Sequence, residues 1–138
     1  MSSEPPPAET KPRTSLALQI AGWVLGALPA LFMIVNGAIS VTKPPFVVEG
    51  TTEMGMSESV IVPLGVIMVT CSVLYLIPYT AVLGAILLTG YLGGAVATHV
   101  LHGDGWFEML FPVLFGALFW LGLYLRDARI RAIVPIRR

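Results

Sequence analysis

Three observations predict an all-α, integral membrane four-helix bundle. Apolar residues make up 56% of the 138-residue chain and charged residues only 12%, against roughly 45–50% and about 25% in soluble domains. The apolar residues gather in four blocks of roughly 20 residues, the length a helix rising about 1.5 Å per residue needs to cross some 30 Å of hydrocarbon. Of Asp, Glu, Lys and Arg, only Glu108 falls within a block, at the start of the fourth. A chain this short, with a mean hydropathy of +0.83, cannot hide so much apolar surface in one aqueous core. Lipid must cover it.

The polar, proline-rich opening MSSEPPPAETKPRTS lacks apolar periodicity, so residues 1–15 are expected to form a disordered tail. The first helix is expected over 16–41, with Pro29 or tilt absorbing its excess length. That run exceeds the roughly 7–15 apolar residues of a cleaved signal core, so Ala38-Ile39-Ser40 is not taken as a cleavage site. The second helix is expected over 60–79, with Pro63 in its first turn, where a missing N–H costs little. Ile-Pro-Tyr-Thr at 77–80 makes a tight turn into a third helix over 81–100. His102-Gly103-Asp104-Gly105 turns into a fourth over 107–125, in which Pro112 is expected to sit in the first turn as Pro63 does. Residues 126–138 form a basic tail, so the four-helix domain spans 16–125.

Four crossings place both termini on one side. Lys11, Arg13, Arg126, Arg129, Arg131, Arg137 and Arg138 flank the bundle at the terminal side, whereas loops 42–59 and 101–106 carry Lys43 as their only Lys or Arg. The positive-inside rule makes both termini cytoplasmic. Trp23, Tyr79, Trp120 and Tyr124 then fall near the inner interface and Trp106 near the outer one, as an aromatic belt would. Gly22, Gly26 and Ala30 on the first helix, and Gly90, Gly94 and Thr98 on the third, recur every fourth residue. Such stripes let helices approach closely in lipid, and they predict packing of the first helix on the third.

Eight basic and eight acidic residues cancel, so no nucleic-acid partner is implied. No ionisable group lies deep in the membrane, where ion carriers place one, and there is no inverted repeat of the transporter kind. A small-solute transporter is therefore the least favoured class. Asn36, Thr70, Ser72, Thr89 and Tyr91 are neutral and can bond to helix carbonyls. Cys71 is the only cysteine, so no intrachain disulfide can form, and packing is its expected role. The two histidines share one segment, so no haem clamp, and no metal site, is expected from a single chain. His99 falls about 28 Å along the third helix, at the outer interface. It either ends the helix there or joins Lys43, Asn36 and Glu108 around an outer-leaflet pocket, where imidazole could bond a quinone oxygen or exchange a proton.

The run LIPYTAVLGAILLTGYLGGAVATH at 76–99, Phe111-Pro112 and WLGLYLRD at 120–127 resemble the DoxX-like family of small four-helix membrane proteins. The likeness extends back through Asn36-Gly37 and Lys43. Tyr79 stands where relatives often have a basic residue, and Met68 where many have Glu; if that Glu is functional, Met68 removes its role here. The wider DoxX group is named for a membrane subunit of a quinone-linked thiosulfate-oxidising complex, and other members are associated with redox homeostasis. The resemblance therefore implies a multi-pass protein of the bacterial cytoplasmic membrane. Its implied role is a non-catalytic or small-ligand-binding subunit or partner of a redox system, with a soluble or membrane redox protein as partner and room for homo-oligomers. A quinone-linked oxidoreductase subunit, with quinone as its cofactor, is the alternative, although no catalytic constellation is visible.

Overall fold

The computed structural model describes residues 14–134 together with Pro5, so most of the tail expected over 1–15, and residues 135–138, lie outside the described residues. Among the described residues the elements are all helical: α1 (Leu16–Val41), α2 (Pro45–Glu53), a 3₁₀ turn (Glu58–Val60), α3 (Ile61–Leu76), α4 (Ala81–His102), α5 (Trp106–Arg126) and α6 (Ala128–Ile133). Four helical segments are long and apolar enough to cross a membrane: α1, α3 with its preceding 3₁₀ turn, α4 and α5. Ser15 starts α1 by accepting a hydrogen bond from the Leu18 amide at 3.4 Å.

The four long helices form a ring in which α1 and α4 each pack against both α3 and α5. This corrects the expected packing of the first long helix on the third. The α1 stripe does pack closely, but on other partners. A Cβ on Gly22 would lie 2.7 Å from the Gly122 carbonyl oxygen of α5, and one on Gly26 would meet the Tyr75 ring of α3. Gly90 and Gly94, by contrast, face open space. Two stripes of similar spacing thus have opposite fates, because only one of them meets another helix.

The core centres on Tyr75, Leu88, Phe119, Leu123 and Ser72, all fully buried. The Tyr75 hydroxyl donates to the Phe119 carbonyl at 2.8 Å, and the two rings meet edge to face at 4.8 Å. Phe119, Phe115, Phe111 and Phe32 continue this aromatic contact between α5 and α1. Cys71 is buried in the same core.

Short polar side chains within the bundle return their hydrogen bonds to their own helices. Ser72 donates to the Met68 carbonyl at 2.7 Å and Thr89 to that of Ala85 at 2.7 Å, which satisfies hydroxyls where water is excluded. The end of α3 is closed by other elements. Thr80 donates to the Leu74 carbonyl at 2.8 Å and Arg126 to the Tyr75 carbonyl at 2.9 Å, filling acceptors that the last helical turn leaves open.

Pro63 does lie in the first turn of α3. Pro112 does not lie in the first turn of α5: that helix begins at Trp106, which puts the proline inside it and removes the amide that would bond the Glu108 carbonyl. Two short helices fall in segments expected to be loop and tail. The Pro44-Pro45 pair opens α2, and Asp127 caps α6 by accepting from the Arg129 amide at 2.8 Å.

Candidate functional site

The candidate site lies at the end of the bundle that carries α2. It begins with the way α4 stops. Gly103 adopts the left-handed conformation (φ 80°), which glycine enters without strain. Its amide, at 3.1 Å, and that of Asp104, at 3.1 Å, both return to the His99 carbonyl. The reversal brings the Asp104 carboxylate back over the last turn of α4, between two histidines. His99 Nδ1 lies 2.6 Å from Asp104 Oδ2, and His102 Nδ1 lies 2.7 Å from Oδ1.

These hydrogen bonds, that from His99 foremost, hold the Asp104 carboxyl below the usual carboxylate range. An ionised carboxylate only accepts, so it fixes Nδ1–H on His99 and leaves Nε2 for another group. On His102, Nε2 also has an acceptor, the Glu53 carbonyl oxygen at 2.9 Å. A ring with both N–H groups fills both contacts and ties the end of α2 to the end of α4.

His99 borders a cavity of about 340 Å³. Its roof is Met54 and Met56 from the loop after α2, Leu64 of α3 lies on one side, and the open face of α4 at Gly90, Gly94 and Thr98 forms the floor. The glycines that fail to pack against α1 therefore shape this cavity. Tyr91 lines its deeper part, and its hydroxyl makes no hydrogen bond among the described residues. Methionines are flexible and polarizable, a roof that suits apolar guests of varied shape. The arrangement is an apolar recess with a hydrogen-bonded imidazole at its rim.

The other expected pocket residues lie outside this lining. Lys43 has a left-handed backbone (φ 50°) just beyond α1, and its Nζ pairs with Glu58 at 3.3 Å, which closes the base of the loop carrying α2. Asn36 donates to the Phe32 carbonyl of its own helix at 2.8 Å. Glu108 is exposed in the first turn of α5. No hydrogen bond or ion pair among the described residues joins any two of His99, Lys43, Asn36 and Glu108. The partner that sequence reasoning missed for His99 is Asp104. The signal was the sequence His102-Gly103-Asp104, in which glycine permits the chain to fold back.

Four helices of membrane-spanning length and composition define a multi-pass helical membrane protein. Residues 24–122 match the model of the DoxX-like family, and the chain belongs to that family. No curated protein matches the chain, and neither does any solved structure.

Proposed function

We propose that this protein is a small-ligand-binding subunit or partner of a membrane redox system, and that its ligand is an amphiphile seated in the recess beside His99. The observation that carries this reading is the His99–Asp104 hydrogen bond at the rim of the apolar cavity. The recess takes an apolar body, while Nε2 of His99 meets a polar head group. Family membership supports the redox setting. Family membership also supports a bacterial cytoplasmic membrane, and the distribution of Lys and Arg supports cytoplasmic termini, which puts the recess at the outer face. Lys43, paired with Glu58, stands at the same end, outside the lining of the recess.

A second reading, a quinone-linked oxidoreductase subunit, draws on the same imidazole. Fixed by Asp104, it can bond a quinone oxygen and exchange a proton with it. Purification in mild detergent followed by mass spectrometry of bound small molecules tests both readings. The expected result is an amphiphile that accompanies the wild type and is lost from a folded His99→Ala variant; a quinone selects the second reading. Equal ligand content in the two proteins would overturn both. A C-terminal alkaline phosphatase fusion tests orientation separately, and activity outside the cytoplasm would reverse it.

A further inference from the structure

The opposite end of the bundle holds a cation that forms no ion pair among the described residues. The guanidinium of Arg126 lies between two rings, its Cζ 4.1 Å from the Trp23 centroid and 4.6 Å from that of Tyr75. One nitrogen, Nη2, donates to the Tyr75 carbonyl. The other, Nη1, is enclosed and has no hydrogen-bond partner, the only such side-chain atom among the described residues. The ion pairs among those residues all lie at the α2 end. A guanidinium beside hydrocarbon needs compensation for its lost hydration, and aromatic faces supply only part of it.

Arg126 also lines an opening of about 230 Å³ between α1, the turn after α3, and the end of α5. Gln19 and the partly exposed indole of Trp23 form one wall, and Pro78 and Ala81 another. Asp127 also lines it. Its Oδ1 is committed to the Arg129 amide, whereas Oδ2 has no partner among the described residues. The opening therefore presents a cation and an anion side by side at a helix end, beside a tryptophan.

We infer that this opening seats the head group of a zwitterionic aminophospholipid, its phosphodiester on Arg126 and its ammonium on Asp127. The phosphodiester accepts charge-assisted hydrogen bonds from the part of the Arg126 side chain that lines the opening. Asp127 repels a head group that carries only negative charge and rewards one with an ammonium about one head-group length from the phosphate.

The test titrates the thermal unfolding midpoint of the full chain, in mild detergent, with short-chain phosphatidylethanolamine, phosphatidylglycerol and inorganic phosphate. Phosphatidylethanolamine should raise the midpoint at the lowest concentration, and inorganic phosphate should not substitute for it. Arg126→Gln should require about tenfold more of either lipid, the equivalent of one charge-assisted hydrogen bond. Asp127→Asn keeps a side-chain acceptor for the Arg129 amide, and it should erase the preference for phosphatidylethanolamine over phosphatidylglycerol. Equal responses to lipid and inorganic phosphate, or an unchanged response in Arg126→Gln, would overturn the assignment. If Arg126→Gln does not fold, Asp127→Asn decides: a preference that survives in this variant, or is missing from the wild type, refutes it.

Discussion

Gly84 of α4 stands against the main chain of Tyr75 in α3: a Cβ placed on it would lie 2.6 Å from the Tyr75 Cα and 2.8 Å from the Leu74 carbonyl carbon. Backbone cannot rotate away as a side-chain tip can. Gly84→Ala should therefore force α3 and α4 apart and cost about 1–3 kcal/mol. Gly94→Ala faces open space and should leave the unfolding midpoint in detergent unchanged or slightly raised. A wild-type midpoint for Gly84→Ala would contradict the contact.

Tyr75 also joins α3 to α5 through its hydroxyl, buried against the Phe119 carbonyl. Tyr75→Phe keeps the ring and its edge-to-face contact while deleting that one bond. The expected loss is about 1 kcal/mol, read from chemical denaturation of both proteins in the same detergent. A loss above about 3 kcal/mol would mean that the hydroxyl supports more than this bond.

Asp104 makes stability depend on pH in the acid range. Its folded pKa is depressed by the hydrogen bonds from His99 and His102. Its contribution is therefore complete above the unfolded value of about 3.9 and is lost as pH falls through the lower folded value. The difference in unfolding midpoint between wild type and Asp104→Asn should be steady from pH 5 upward as far as this carboxyl is concerned, and should shrink below about pH 4. A difference that does not change between about pH 5 and pH 3 would contradict the bonded carboxylate.

Lys43 combines an exposed ion pair with a left-handed backbone. Exposed pairs contribute about 0–1 kcal/mol, and a non-glycine residue in this conformation costs roughly 1–2 kcal/mol relative to glycine. Lys43→Ala loses the pair and keeps the strain, while Lys43→Gly loses both. The glycine variant should then be the more stable of the two by about 1 kcal/mol, measured by denaturation in detergent. The reverse order would place the turn in another conformation.

The sequence by itself determined the four long helices, because hydrocarbon about 30 Å thick requires some 20 apolar residues per crossing and forbids unpaired backbone groups. It also marked Cys71 as a packing residue and the turn at 77–80 as tight. Which helices touch was decided only by the tertiary structure. The stripes from Gly22 and from Gly90 look alike along the chain, yet one meets α5 and α3 while the other opens a cavity. Periodicity names the face of a helix that can be approached, whereas the ring order of the bundle determines what approaches it. The same holds for charge: Arg126 belongs to a basic tail in sequence, but the carbonyl left free where α3 ends, and the rings of Trp23 and Tyr75, draw its guanidinium into the bundle. His99 was visible in the sequence as a titratable group near the end of the third long helix. Asp104 became its partner because a left-handed glycine folds the chain back over that helix end.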